Sequence, residues 1–385
     1  MNSIGFVERN MLRNLRRTIL TTLTVALATF IFAVLISVPT SMDRIISDAS
    51  TTLRLVVNNR TGPWYGVPAR DCLQIREMPG CIACASVTGW FANYRDDRDG
   101  VFAAGVSPEF TEVFTDYEVS RGTQAAMMKD RRAAVVGGVL MKKYGWKIGQ
   151  QIMLKANDAS NLELTFIITG EIPSKHYPNS FVFRRDYLRE AQKAAGMPDN
   201  DVAWQLIVRA DKAEHVAPLA KEIDDAYRNS DYETRTITES DALSGALSAI
   251  GNIRGIVYGL CATIALTILL IAANAMAMMV RERLTDVAVM RTLGFSQARV
   301  ATLLFGECAA IGLVAGALGA APAWWFFSGG LTLGAALGGN GALWVTGASA
   351  LEALAIAIIL SLLSGVIPIL NALRIPPADA MRQVV

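Results

Sequence analysis

The sequence has 385 residues, of which 52% are hydrophobic and 18% are charged, whereas about a quarter of an average soluble domain is charged. Its formal net charge of +2 gives no bulk attraction to nucleic acid, so nucleic acid is excluded as an expected partner. The hydrophobic residues are concentrated in a few long blocks, which is typical of a membrane protein.

The first 17 residues combine apolar and basic side chains at a helical spacing. Ile4, Val7, Met11 and Leu15 fall on one helical face, and arginines occupy the other positions. This pattern predicts an amphipathic helix at residues 1–17 that lies on the inner leaflet of the membrane.

Four blocks are long and apolar enough to cross a bilayer, which takes about 20 helical residues. The last two are interrupted once each, by Glu307 and Glu352. The apolar core of the first block exceeds the length of a signal-peptide h-region, so an anchor is favoured over a cleaved leader. The sequence therefore predicts transmembrane helices at 18–42, 253–280, 300–327 and 343–373.

The positions of the arginines set the expected orientation. Arginines precede the first block, lie between the second and third blocks, and follow the fourth, whereas the loop at 328–342 has no Lys or Arg. By the positive-inside rule, both termini and the 281–299 loop are cytoplasmic, including the tail 374–385. This predicts a multi-pass protein of the cytoplasmic (inner) membrane in which the large segment 43–252 lies outside.

Residues 43–252 alternate between strand-like and helix-like patterns. Strands are expected at Leu53–Val57, Leu162–Thr169 and Gln205–Val208, and helices at Arg185–Ala195 and His215–Tyr227. A last helix at 240–252 is expected to continue into the second span. The predicted fold class is an α-helical membrane protein with four transmembrane helices plus a large α+β extracytoplasmic domain between the first and second spans.

Three cysteines lie in this segment: Cys72, Cys81 and Cys84. Cys81 and Cys84 have CxxC spacing, which is compatible with a redox pair or with half a zinc site. No second CxxC follows, and both residues occupy apolar positions of a predicted strand. Small buried residues or one structural disulfide are therefore the favoured interpretations.

Sequence motifs for catalysis are not found. The chain has no GxxxxGK[ST] phosphate loop, no HExxH pair and no GxSxG elbow, and it has only two histidines. The sequence therefore predicts no catalytic residue, no metal site and no cofactor in this chain.

The short charged loop between the second and third spans has the pattern of a helix with two different sides. Leu284, Val287, Ala288 and Met290 mark an apolar side. Gly294 follows where a left-handed helix cap is expected, and Ser296 stands at the N-cap position of the next helix. Such a rigid helix is suited to being pushed by a partner, although a cluster of arginines that only sets the topology is the alternative interpretation.

The stretch from Asn274 to Arg283, followed by Asp286-Val-Ala-Val-Met-Arg-Thr-Leu-Gly294, resembles the signature of the FtsX-like ABC permeases. That superfamily contains macrolide exporters (MacB type) and lipoprotein-release permeases (LolC-LolE type). Asp286 departs from the family pattern, in which glutamate is usual. The segment Ala133–Gly137 and the tail Arg374–Arg382 are similar to further family segments. The family order of one span, an external domain and three spans covers nearly the whole chain.

The resemblance implies mechanotransmission, in which the chain passes the motion of a separate P-loop ABC ATPase to the external domain. ATP is then bound by the partner, and a second permease copy pairs with this one as a homodimer or a related heterodimer. The apolar side of the loop helix would seat in a groove of the ATPase, with charges fixing its orientation. The residues predicted to couple to the ATPase are Glu282, Arg283, Leu284, Asp286, Val287, Arg291, Leu293 and Gly294.

Two features of the third span carry further predictions. Glu307 lies about two turns into the span, where an ionised group is costly, so it either pairs with an arginine of the coupling region or snorkels to the inner interface. Gly312, Gly316 and Ala320 form a ridge of small residues at four-residue spacing. Packing within the subunit is favoured for this ridge over a dimer seam.

Several functions remain compatible with the sequence. Efflux with a periplasmic adaptor protein, extraction of lipoproteins or lipids, and activation of a cell-wall hydrolase all fit a permease of this kind. A membrane-bound sensor with an external ligand-binding domain is the main alternative. A secondary carrier is less favoured because Glu307 and Glu352 alone would have to couple the ions.

Overall fold

The computed structural model describes residues 15–374, apart from 96–98, 159, 161, 175–176, 200, 250, 330 and 333–341. The chain divides into two compact units. The helical unit contains the chain up to Asp43, Asn252–Leu331 and the chain from Leu343, and the α+β unit contains Arg44–Gly251 and Thr332–Ala342.

The helices are α1 (Leu15–Ser50), α2 (Asp71–Ile75), α3 (Phe110–Val113), α4 (Arg121–Lys129), α5 (Gly138–Tyr144), α6 (Arg185–Ala194), α7 (Ala213–Ala226), α8 (Glu239–Ala249), α9 (Ile253–Glu282), α10 (Leu284–Thr292), α11 (Gln297–Phe327) and α12 (Gly347–Arg374). The strands are β1 (Arg54–Asn59), β2 (Val67–Pro68), β3 (Cys81–Asn93), β4 (Gly100–Val106), β5 (Ala133–Gly137), β6 (Gln151–Ala156), β7 (Glu163–Ile172), β8 (Phe181–Arg184), β9 (Val202–Ala203), β10 (Gln205–Ala210), β11 (Thr234–Thr238), β12 (Leu331–Thr332) and β13 (Ala342–Leu343).

The α+β unit is built on one nine-stranded sheet in the order β11-β1-β10-β3-β4-β8-β5-β7-β6. The end of β3 also pairs with β6, with Ala92 opposite Ala156 and Asn93 opposite Lys155. This pairing closes β3, β4, β8, β5, β7 and β6 into a six-stranded barrel, which removes two exposed sheet edges. Alternate residues from the barrel strands fill its interior, among them Trp90, Phe166 and Phe183.

The remaining strands β11, β1 and β10, together with helix α7, form a part that we call the wing. The wing is joined to the barrel through the ladder between β10 and the first half of β3. Its apolar face packs under α7 and α2, with Leu55, Leu206 and Ile223 fully buried. Two chain connections of the α+β unit, the one from α1 and the one to α9, leave from the wing, because β1 follows α1 and β11 precedes α8.

A disulfide joins Cys72 of α2 to Cys84 of β3, and Cys81 is free. The structure thus contains one structural disulfide, but not between the two cysteines of the CxxC pair. Cys81 lies at the start of β3, where the ladder with β10 shifts register, and it packs at the edge of the apolar cluster that contains the disulfide. Cys84 is on the buried face of β3, beneath α2.

The helical unit contains four helices long and apolar enough to cross a membrane: α1, α9, α11 and α12. The four spans predicted from the sequence therefore all correspond to helices. Helix α1 continues past the predicted end of its span at Met42 as far as Ser50, and α12 begins at Gly347. The predicted interfacial helix at 1–17 and the tail 374–385 lie almost entirely outside the described residues.

The prediction that a helix at 240–252 runs on into the second span is wrong. Helix α8 ends at Ala249, and Gly251 has a φ of +107°, in the left-handed region that favours glycine. A new helix then starts, because the Asn252 side chain accepts a hydrogen bond of 2.9 Å from the Gly255 N–H and caps α9.

Candidate functional site

The loop between the second and third spans is held in shape by local backbone hydrogen bonds. Helix α10 ends in a Schellman motif, in which Phe295 N–H donates to Met290 O at 3.1 Å and Gly294 N–H donates to Arg291 O at 3.2 Å. The motif needs a left-handed residue, and Gly294 has a φ of +89°. The Ser296 hydroxyl then accepts from Arg299 N–H and starts α11. The short helix and both caps agree with the sequence prediction.

The apolar side of α10 packs against the subunit's own spans. Val287 and Ala288 are buried, with exposures of 3% and 2%. Val287 lies beside three spans, in a cluster with side chains from α9, α11 and α12 that includes Met276, Leu304 and Ile369. Burying an aliphatic side chain of this size contributes roughly 1.5–3 kcal/mol, so this side of α10 is firmly seated.

Two arginines fasten the ends of α10 to different spans. Arg283 precedes the helix and forms an ion pair with Glu307 of α11, whose exposure is 1%. Arg291, near the other end, donates from Nη1 to the Leu373 carbonyl of α12 at 3.1 Å. That carbonyl lies in the last turn of α12, where carbonyls lack intrahelical partners and a cation is favoured.

The opposite side of the loop is exposed and partly apolar. Val289, Leu293 and Phe295 have exposures of 44%, 72% and 41%. Gly294 and Glu282 are also exposed. We call Val289, Leu293 and Phe295 the outer patch.

The expectation that the apolar side of α10 seats in an ATPase groove must be revised. Leu284 and Val287 are occupied within the subunit, and Arg283 and Arg291 are used to attach the helix to the spans. Of the residues predicted to couple, Glu282, Leu293 and Gly294 remain on the accessible side. The side chain of Asp286 lies outside the described residues. Val289 and Phe295, which the sequence prediction did not include, are also exposed on this side.

Glu307 and the ridge of small residues both act within the subunit. The ion pair with Arg283 agrees with the prediction that Glu307 meets an arginine of the coupling region. A Cβ added at Gly312 would lie 2.8 Å from Ser361 of α12, and one at Gly316 would lie 3.1 Å from Ala357 of α12. Ala320 is buried in a cluster that includes residues of α1 and α12. The ridge therefore lets α11 approach its neighbouring spans closely.

The site offers attachment and movement rather than chemistry. Among the residues that the structure describes, no group of three or more His, Cys, Asp or Glu side chains is placed to hold a metal ion. Arg283 and Arg291 hold α10 to the spans through Glu307 and the Leu373 carbonyl. What the arrangement can do is pass a displacement of α10 to α11 and α12.

Family models match the chain in two regions. The model of the MacB-like periplasmic core domain matches residues 18–226, and that of the FtsX-like permease C-terminal domain matches residues 258–377. The chain belongs to the FtsX-like ABC permease family. It is thus a membrane protein with four spans and a large MacB-like extracytoplasmic domain between the first and the second, as predicted. The family consists of transport subunits that work with an ATPase partner.

Solved structures of two domains are similar to part of this permease. The extracellular domain of the noncanonic ABC-type transporter YknZ from Gram-positive bacteria is 11% identical, with a TM-score of 0.35 over 48% of this chain and 99% of that domain. The periplasmic region of MacB from Actinobacillus actinomycetemcomitans is 10% identical, with a TM-score of 0.35 over 51% of this chain and 93% of that region. A comparison with curated proteins gave no match.

Proposed function

We propose that this permease transmits the motion of a separate cytoplasmic ATPase to its extracytoplasmic domain, and that this motion drives export or extraction of a substrate. The observation that carries the proposal is the placement of α10. It is fastened on one side to α11 and α12 and presents the outer patch on the other.

The two attachments of α10 make it suitable for transmitting force. The Arg283–Glu307 ion pair connects its first end to α11, and the Arg291–Leu373 hydrogen bond connects its last end to α12. A helix fixed at one end could pivot under a push, whereas a helix fixed at both ends passes on translation and rotation. The buried apolar side between the two ends keeps the helix from sliding along the spans.

The outer patch supplies a docking surface for the ATPase. Leu293 is 72% exposed in the permease alone. Covering such an apolar side chain with a partner removes it from water, which favours binding. ATP would then be bound by the partner, and this chain would need no cofactor.

The arginine distribution supports an orientation in which both termini and α10 are cytoplasmic. The extracytoplasmic domain would then meet an oxidising compartment, in which disulfides such as Cys72–Cys84 persist. Pairing with a second permease copy, identical or related, would place one ATPase under each copy. A periplasmic adaptor would join this assembly if the substrate is expelled by efflux.

The test is co-purification of the full-length chain, expressed with its neighbouring genes and extracted in mild detergent, with a P-loop ATPase. The decisive variant is Leu293→Glu, which puts a charge into the outer patch. Its control is Leu73→Glu in the extracytoplasmic domain, because Leu73 has an exposure of 70% against 72% for Leu293. We expect Leu293→Glu to weaken ATPase binding by roughly 30-fold, the equivalent of about 2 kcal/mol at a central interface residue, and Leu73→Glu to bind normally.

The outcomes separate the possible errors. If both variants bind the ATPase like the native chain, the ATPase docks away from the outer patch and the proposed site is wrong. If no ATPase binds the native chain, nothing supplies the motion and the proposed function is wrong. The external domain would then be screened for ligands, as the sensor alternative requires.

A further inference from the structure

One buried arginine in the extracytoplasmic domain makes an unusual number of polar contacts. Arg54 of β1 has an exposure of 4%. Its guanidinium donates to both carboxylate oxygens of Asp116 at 2.6 and 3.0 Å, to Tyr177 Oη at 2.8 Å and to Glu239 Oε2 at 2.7 Å. It also lies 4.7 Å from the centre of the Phe114 ring. The arginine is thus fixed from four sides.

The partners of Arg54 come from two different parts of the domain. Glu239 begins α8, the last helix before the second span, and it also accepts a hydrogen bond of 2.7 Å from Thr52, just after α1. These residues belong to the two chain connections of the domain. Asp116, in contrast, lies in a short 3-10 helix (Thr115–Tyr117) of the connection that follows barrel strand β4, and Tyr177 lies in the loop that follows barrel strand β7.

The loops that hold Asp116 and Tyr177 are packed firmly on the barrel. Tyr177 stacks on Tyr117 with ring centroids 4.0 Å apart. Tyr117 is buried in a cluster with Val135 of β5 and Val182 of β8. A displacement of Asp116 or Tyr177 would therefore displace the barrel. Arg54 links these two residues to Glu239, which lies in a chain connection of the wing.

The chemistry of the contact favours a rigid joint. The wing is also joined to the barrel by the β10–β3 ladder, which fixes the spacing of the strands but leaves their twist variable. A further apolar contact includes Val56 and Ile207 of the wing and Val113 of α3, and apolar surfaces tolerate small sliding movements. A guanidinium bound to a carboxylate through two parallel hydrogen bonds fixes an angle as well as a distance. Burial works against ionisation of Asp116, but the hydrogen bonds from Arg54 and Tyr177 outweigh it and hold the pKa of the carboxyl below its ordinary value, so the joint stays charged.

We propose that Arg54 is a positioning residue that locks the wing to the barrel, so that displacement of the two chain connections moves the whole extracytoplasmic domain as one body. The proposal rests on the proposed function, because it concerns the path of the motion that the ATPase supplies. Without the Arg54 joint, the wing would follow the connections, and the barrel would lag behind.

The test measures the distance between wing and barrel in the full permease–ATPase complex. Spin labels are attached at Glu222→Cys on α7 and at Met153→Cys on β6, both exposed positions, in a Cys81→Ser background. Pulsed electron resonance then gives the distance distribution without nucleotide and with trapped ATP. Arg54→Lys keeps the charge and removes the fork.

The matched control is Arg185→Lys. Arg185 is another largely buried arginine of the same domain, bound to Asp201 at 2.8 Å, with no hydrogen bond to the chain connections among its described contacts. We expect the native complex and Arg185→Lys to show one distance in both nucleotide states. For Arg54→Lys we expect the native distance without nucleotide and a second, shifted distance when ATP is trapped. If Arg54→Lys does not fold, Asp116→Asn removes the carboxylate of the fork and takes its place.

Three results would overturn the proposal: a native wing–barrel distance that changes with nucleotide, an Arg54 variant that keeps the native distance in both states, or an Arg54 variant that broadens equally with and without nucleotide. The last result would show a purely structural role. Failure of the proposed function looks different, because the native chain would then bind no ATPase and the Arg54 proposal would fall with it.

Discussion

The ion pair between Arg283 and Glu307 allows a quantitative test of how α10 is attached. Glu307 is almost fully buried in α11, and the Arg283 side chain has an exposure of 14%. Arg283→Met takes this cation away from a buried carboxylate, and breaking a buried pair in this way costs about 3–5 kcal/mol. We expect a loss of this size in the free energy of unfolding of the helical unit.

The double variant Arg283→Met/Glu307→Met tests the physical reason for that loss. Replacing both partners with apolar side chains of similar volume is often nearly neutral, because no charge is left buried. The double variant should therefore be more stable than Arg283→Met alone. Arg281→Met is the control, because Arg281 is an exposed arginine in the last turn of α9, two residues before Arg283, and its removal should change stability by about 0.5 kcal/mol or less.

The assay is a double-mutant cycle on the purified permease in detergent, followed by tryptophan fluorescence during denaturation and by ATPase co-purification. Simple addition of the effects of Arg283→Met and Glu307→Met in the double variant would refute the reasoning, because the two side chains would then not interact. Restored stability with lost ATPase coupling would show that the pair transmits force in addition to stabilising the loop.

Three further predictions concern packing, the disulfide and pH. Gly312→Ala should destabilise the permease by about 1–3 kcal/mol, because a Cβ there would lie 2.8–3.0 Å from atoms of α12, whereas Gly306→Ala on the same helix meets nothing within 4 Å and should be tolerated in thermal unfolding. Changing Cys72 and Cys84 together to serine should cost about 3 kcal/mol for a crosslink that spans 12 residues, and peptide mapping without reductant should find the bridge in the native chain. The folded-state pKa of Asp116 is lowered, so its contribution to stability is present above the ordinary carboxyl pKa and is lost as the pH falls through the folded value. Acid unfolding profiles of the native chain and Asp116→Asn should therefore converge below about pH 4, and profiles that stay parallel would contradict this.

Features that depend on neighbouring residues were predictable from the sequence. Uncharged blocks of span length must be helices in a membrane, because only internal hydrogen bonding satisfies the backbone there. The ends of α10 were also predictable, because Gly294 supplies a left-handed cap and Ser296 caps the next helix through contacts within three residues. The break at Gly251 was missed, although Gly251 and Asn252 are the same kind of local signal, a glycine in the left-handed region followed by an N-cap residue.

Contacts between distant residues depend on the tertiary structure. Cys84 pairs with Cys72, 12 residues away, because the packing of α2 on β3 brings their Cα atoms to 5.4 Å. Arg54 meets Glu239, 185 residues away, only because β1 and β11 pair. The sequence shows that Arg54, Asp116 and Glu239 are charged, but it does not show that Arg54 binds both carboxylates.

The sequence by itself determined that this permease has four spans, an external α+β domain and a two-sided helix between the second and third spans, because composition and helical periodicity are local properties. It did not determine which side of that helix is buried and which is exposed. Val287 and Leu293 are both aliphatic, yet one is buried and the other exposed. The packing of α9, α11 and α12 around α10 made that choice, because three spans leave room for only one of the two apolar sides.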